Sequence, residues 1–132
     1  MFPLHVLTAT APFYEGMCRS LVIPTVDGDY GVLTNHSDTI CAVVPGELHF
    51  TRPDGTVQVA AVAAGIMKVE KGDVLVLVDS AIRPEDIDMD RARRMADDAR
   101  EQLLQKQSIE EYRAAQARLA RALARLSVRT KY

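Results

Sequence analysis

Carboxylates and guanidinium groups gather at two places in the chain: Asp86, Asp88, Asp90 and Arg91, and then Arg118, Arg121, Arg125 and Arg129. Spacings of three and four put the later arginines on one side of a helix. Such a face has two readings. As a solvated face it is favoured by the helix dipole, because Glu110 and Glu111 open the same helix and the basic groups fill its later turns. As an anion site it requires the helix to fold back on a preceding one, which brings its late arginines near Asp88 and Arg91. Guanidinium forks and a helix N-terminus then hold phosphates, while a carboxylate takes a ribose hydroxyl or a base amine.

Other chemistries find little material. His5, His36 and His49 lie far apart, and none shares with Cys18 or Cys41 the close pairing of a zinc site, so no metal is expected. Asp27-Gly28-Asp29-Tyr30-Gly31 has a faint likeness to the opening of a calcium loop, but Asp38 stands where a bidentate Glu is needed, and a plain turn is the better reading. No Ser or Cys lies in a nucleophile motif and no glycine loop cradles phosphate, which argues against an enzyme. A net charge of −2, no Trp and few aromatics argue against nucleic acid as partner. The two cysteines are isolated and read as buried thiols in a reducing compartment, with a single disulfide as the alternative.

The elements that must position these groups divide at Arg83 to Ala92. Before this seam, Leu4 to Thr8, Arg19 to Pro24, Gly31 to Thr34, Ile40 to Val44, Glu47 to Arg52, Thr56 to Ala61, Ile66 to Val69 and Val74 to Val78 each read as a strand, rich in Val, Ile, Leu and Thr. Turn signals at Asp27-Gly28, Pro45-Gly46, Pro53-Asp54-Gly55 and Lys71-Gly72-Asp73 separate them. Many short strands argue for a β-sandwich or flattened barrel over residues 1–84. Val74 to Val78 does not alternate, so this strand is expected to be covered on both faces, with the following helices as the nearest cover.

After the seam the period becomes 3.6. Pro84 disfavours helix at Arg83, and Asp86, Asp88 and Asp90 offer an N-cap. Ala92, Met95, Ala96, Ala99 and Leu103 form one stripe; Ile109, Tyr112, Ala115, Leu119, Leu123 and Leu126 form another. Ser108 with Glu111 makes a capping box that puts the break near Lys106 and Gln107, so residues 85–132 are expected to form an antiparallel two-helix hairpin of roughly 18 to 20 residues per helix. Its alanine seam buries little apolar area, at about 25 cal/mol per Å², which makes a movable appendage physically reasonable.

Gly28-Asp29-Tyr30-Gly31-Val32-Leu33, His36, Pro45-Gly46-Glu47-Leu48, Ala64-Gly65-Ile66 and Asp79-Ser80-Ala81-Ile82, followed by an alanine-rich helical hairpin, resemble in order and spacing the epsilon subunit of the bacterial-type F-type ATP synthase. The resemblance covers essentially the whole chain. It implies an α+β fold, a β-sandwich followed by the hairpin, and a non-catalytic place in the rotor that couples proton transport to ATP synthesis. In that family the sandwich binds the gamma subunit and rests on the c-ring, and the hairpin can extend toward the catalytic alpha and beta subunits and inhibit ATP hydrolysis. The implied location is peripheral, on the cytoplasmic face of the cell membrane.

The resemblance also implies site residues. By position, Asp29 and His36 match the turn that meets the ring. Ile87-Asp88-Met89-Asp90-Arg91-Ala92 fits a family motif for ATP as a regulatory ligand, and Arg121 and Arg125 match the two arginines supplied by the second helix. A further arginine of the family's first helix falls on Asp98, with Arg100 nearby, and an acidic residue expected before the seam falls on Ile82.

Length and composition agree with a folded domain: 132 residues, 48% hydrophobic and 26% charged. The N-terminus lacks the basic flank and sustained apolar core of a signal peptide, and the longest apolar run, Val59 to Met67, is far short of the ~20 residues that cross a bilayer, so no direct membrane insertion is expected. The competing reading of another class is a free-standing β-sandwich and hairpin adaptor with no link to a rotary motor.

Overall fold

Phe2, Leu4 and Val6 alternate with Pro3, His5 and Leu7, and that alternation buries one face of the first strand while the other stays near solvent. A computed structural model describes residues 1–132. Its strands are β1 Phe2–Thr8, β2 Pro12–Cys18, β3 Ser20–Thr25, β4 Gly28–Leu33, β5 Thr39–Val43, β6 Gly46–Thr51, β7 Val57–Val62, β8 Gly65–Glu70, β9 Asp73–Val78 and β10 Ala81–Ile82. A 3-10 turn, Pro84–Asp86, leads to α1 Met89–Leu103 and α2 Ile109–Lys131. The strands form two five-stranded sheets, ordered β2-β1-β9-β8-β5 and β10-β7-β6-β3-β4. All neighbours are antiparallel except β1 and β9, which run parallel with Leu4 beside Val74.

The core lies between the sheets. Leu4, Val6, Leu21, Ile23, Leu48, Phe50, Met67 and Val76 are fully buried there, each contributing roughly 1.5–3 kcal/mol relative to exposure. Gly65 is required by close approach, because a Cβ there would overlap the carbonyl of Leu77 and the Cα of Val78 on β9. The β8–β9 hairpin turns at Lys71 and Gly72, both at positive φ (51° and 83°), the backbone of a tight hairpin turn.

Two strands go beyond the sequence reading. β2 carries Pro12 and Gly16 and no β-branched residue, so propensity hides it; it survives as an edge strand on β1. β10 is only two residues long.

The expectation for β9 is corrected. The helices do not cover it: α2 rests on β6 and β7 of the other sheet, and Leu77 remains 40% exposed. The register instead places Ala42, Ile66, Leu77 and Leu7 side by side across β5, β8, β9 and β1. They form an apolar row on the outer face of the first sheet.

The hairpin begins where Asp88 caps α1 and ends its first helix at Leu103, well before the second opens at Ser108. Ser108 Oγ accepts from Glu111 N at 3.1 Å, the N-cap half of a capping box, while Glu111 Oε1 accepts from Ser108 Oγ at 3.2 Å rather than from the Ser108 backbone N–H. The helices have 15 and 23 residues rather than near-equal lengths. α2 therefore overshoots the start of α1, and its last turns reach the second sheet, where Val128 packs with Val59, Ala61 and Ile87.

The first stripe is buried at Ala92, Ala96 and Ala99, with Met95 and Leu103 half-buried. In α2 the expected stripe holds at Ala115, which is buried, and at Leu119 and Leu126, which are half-buried; it is corrected at Ile109, Tyr112 and Leu123, which are exposed, while Ala122, Ala124 and Val128 are buried outside it. Close backbone approach selects alanine at the contact with α1, and Ile109, Tyr112 and Leu123 turn outward.

Cys18 is buried and Cys41 half-buried, and both are free thiols.

Candidate anion-binding site

Asp88, with an extended backbone (φ −82°, ψ 105°), stops the preceding chain and starts α1. Its Oδ1 accepts from the backbone N–H of Arg91 at 3.1 Å, which satisfies one of the open donors of the first turn. The same turn points the remaining N–H groups and the positive end of the dipole outward.

α2 returns antiparallel, and its arginines arrive at this end of α1. Arg125 is half-buried; its Nη1 donates to Met95 Sδ at 3.6 Å and its Nη2 to Ser80 Oγ at 3.5 Å. Burial lowers its pKa from the usual arginine value, and repulsion from Arg121 and Arg91 lowers it further. None of Arg91, Arg121 and Arg125 forms an ion pair; the ion pairs are His5–Glu15, His49–Glu47, Lys68–Glu70, Arg93–Asp90, Arg100–Asp97 and Lys131–Glu47. Arg91, Arg121 and Arg125 thus lie near one another without a direct ion pair, although Asp86 and Asp88 line the same pocket as Arg91 and Arg125.

A pocket of about 200 Å³ lies between these groups, faced by Ile82, Asp86, Ile87, Asp88, Arg91, Ala92 and Arg125. Ile87 and Ala92 serve it indirectly. Ile87 is buried in the small apolar cluster under α2, and Ala92 is buried in the helix seam, where its size lets α2 come close. Asp86, Asp88, Arg91 and Arg125 supply its charge, whereas Arg121 does not line it and acts as a like charge near Arg125. Asp98 and Arg100 are exposed on α1, and Arg100 pairs with Asp97 at 3.5 Å. Arg118 donates instead to Gln102 Oε1, and Arg129 faces a different cleft. Ser80, in the β9–β10 turn, belongs to the Asp79-Ser80-Ala81-Ile82 stretch but has no local pattern that marks it as a site residue, yet its Oγ accepts from the half-buried Arg125 guanidinium.

Asp29 and His36 belong to opposite ends of β4. Asp29 is exposed beside the β3–β4 turn. His36 is half-buried beyond the far end of the strand: its Nδ1 donates to Ser37 O at 2.7 Å, which leaves Nε2 to accept from Tyr30 Oη at 2.9 Å.

Residues 1–84 match the family described as ATP synthase, Delta/Epsilon chain, beta-sandwich domain, and residues 85–129 match ATP synthase, Delta/Epsilon chain, long alpha-helix domain. The chain is 37% identical over 131 residues to the ATP synthase epsilon chain of Caldanaerobacter subterraneus subsp. tengcongensis, covering 99% of this chain and 95% of that one. It is 36% identical over 132 residues to that of Ruminococcus albus, covering 99% and 98%. Among solved structures it resembles a chain of the Euglena gracilis mitochondrial ATP synthase (OSCP/F1/c-ring, rotational state 1), with a TM-score of 0.75 at 21% identity over 89% of this chain and 74% of that one. A chain of the Tetrahymena thermophila mitochondrial ATP synthase central stalk and c-ring gives a TM-score of 0.69 at 11% identity over 96% and 95%.

Proposed function

The chain belongs to the ATP synthase delta/epsilon chain family, and on that premise we propose that it is a non-catalytic subunit of the rotor whose hairpin is held against the sandwich by ATP. The observation that carries the regulatory part is Arg125: half-buried, beside Arg91 and Arg121, and without a carboxylate partner. A bound phosphate chain offsets that repulsion, and the Asp88 carboxylate is at hand for a ribose or base donor. ATP favours the folded-down hairpin only insofar as it binds that form more tightly than an extended one. Ile87 and Ala92 shape the floor of the site; Asp88, Arg91 and Arg125 meet the ligand, and Arg121 adds a like charge near Arg125.

The sandwich is the mechanical part of this reading. Its apolar outer row at Ala42, Ile66, Leu77 and Leu7 supports docking of the gamma subunit, because nothing within the chain covers it. Asp29 meets the c-ring directly, and His36, pinned by Tyr30 and Ser37, fixes the shape of its loop. No helix is long and apolar enough to cross a membrane, and attachment to the cytoplasmic face runs through these partners. When extended, the hairpin meets the catalytic alpha and beta subunits and restrains hydrolysis.

The test is titration of ATP into the purified chain, followed by NMR of α1 and α2. Saturable shifts around Arg91 and Arg125 are expected. An unchanged spectrum at millimolar ATP removes the nucleotide role and leaves the rotor role standing.

A further inference from the structure

A second concentration of positive charge lies across the Pro84–Asp86 turn. β10 pairs with β7 only at Ala81↔Val62 and Ile82↔Ala61, and Pro84 has no N–H with which to continue the ladder. A wedge therefore opens between the start of β7 and residues 83–85, and the end of α2 closes its third side. The cleft measures about 420 Å³, and Arg52, Gln58, Arg83, Glu85, Arg129 and Tyr132 face it.

Two of its three guanidinium groups each lie over an aromatic ring. Arg52 Cζ sits 5.4 Å from the Tyr14 ring centroid and its Nη2 donates to Gln58 Oε1 at 2.6 Å; Arg83 Cζ sits 5.7 Å from the Phe13 centroid. A ring beneath a guanidinium leaves its in-plane donors available. The Nε–H of Arg52 is buried and has no acceptor within the chain. Arg52, Arg83 and Arg129 form no ion pair, nor does Glu85, the single carboxylate side chain of the cleft.

We propose that Arg52, Arg83 and Arg129 form an oxyanion site for a diphosphate group, separate from the cluster at Arg91, Arg121 and Arg125. Three guanidiniums against one side-chain carboxylate leave the side chains of the cleft net positive, and a diphosphate offers enough oxygens to engage three guanidiniums together. Glu85 disfavours extra negative charge beside the ligand and can accept from a hydroxyl, so the diphosphate is either free or carried by a nucleoside. Arg125 and Arg129 are one turn apart on α2, but the 3-10 turn divides the two clefts: Ile82, Asp86 and Ile87 face one, and Arg83, Pro84 and Glu85 the other.

The experiment titrates inorganic pyrophosphate into the full chain and follows backbone amides and arginine Nε–H signals by NMR, with ADP as a second arm. Saturable shifts at Arg52, Gln58 and Arg83 are expected, weakened on the order of tenfold or more in Arg83→Ala and in Arg129→Ala, and kept in Arg125→Ala. Arg83→Lys, which retains the charge and loses the fork, is expected to weaken binding at unchanged spectral dispersion, which separates binding from folding. Tighter binding of ADP, with added shifts at Tyr132, identifies a nucleoside diphosphate; equal binding identifies the free group. Shifts that rise in proportion to concentration without saturating, as on any basic surface, overturn the proposal. So do shifts that survive Arg83→Ala and Arg129→Ala but vanish in Arg125→Ala, a result that leaves the ATP reading intact.

Discussion

Lys131 Nζ lies 3.5 Å from Glu47 Oε1, so the far end of α2 is tied to β6. Tyr132 Oη donates to the other oxygen of the same carboxylate at 3.4 Å, and His49 Nδ1 stands 3.3 Å from it. Glu47 is the one acidic side chain that gathers the last residues of the helix onto the sandwich. Glu47→Gln is expected to cost about 1 kcal/mol or less, since the lysine is largely solvated. It should also speed hydrogen exchange in the last turns of α2 while leaving β6 protected. Equal loosening of strand and helix would show that Glu47 supports the sandwich itself.

Arg125 is where binding and stability should move in opposite directions. Arg125→Met removes a charged group whose ionised form is disfavoured by burial and by Arg121 and Arg91. ATP affinity is expected to fall by on the order of 1.5–3 kcal/mol, one charge-assisted bond. Without nucleotide, the hairpin of the variant should be at least as protected as the native one. A variant that binds ATP normally but has a looser hairpin would make Arg125 a structural residue.

The apolar row on the first sheet predicts a separation of folding from assembly. Ile66→Lys with Leu77→Glu changes outward side chains that are 47% and 40% exposed and sets opposite charges across β8 and β9, so melting should shift only slightly. Co-purification with a co-expressed gamma subunit should be lost. Retained co-purification would move the docking surface elsewhere.

Gly65→Ala should be severe despite adding one carbon. The new Cβ meets backbone of β9, which cannot rotate away as a side chain would. A loss of about 3 kcal/mol or more, or failure to fold, is expected and is read by denaturant unfolding.

Cys18 sets an alkaline limit. Burial pushes its thiol up from 9.0 to about 11, with the N-terminal ammonium acting weakly against this. The unfolded chain releases the proton near 9.0 while the folded chain keeps it, so this group leaves stability unchanged below pH 9 and lowers it as pH rises toward 11. Unfolding measured across that range should show the slope in the native chain and lose it in Cys18→Ala. Thiol reagents should modify the half-buried Cys41 first.

The sandwich was legible because most of its strands alternate and its turns are written in Gly, Pro and Asp. β2 was not, since Pro12, Gly16 and Glu15 carry no strand propensity and only pairing with β1 makes the segment extended. The roll of α2 was misread because apolar size drew the stripe through Ile109, Tyr112 and Leu123, whereas a close helix contact is decided by what is small. Arg121, Arg125 and Asp88 were visible because helical spacing and a capping residue locate them within one hairpin. Arg52, Arg83 and Arg129 come from three separate segments, and no local pattern joins them; only the early departure of the chain from β10 does.

Leu4 lies beside Val74 because β1 takes β9 as its parallel neighbour. A ribosome delivering the chain in order must hold β1 and β2 with one open flank until Val78 has emerged. The two layers can shut only late in synthesis, around a contact that joins distant stretches of sequence. The rods come last and meet a seat on β6 and β7 that is already made.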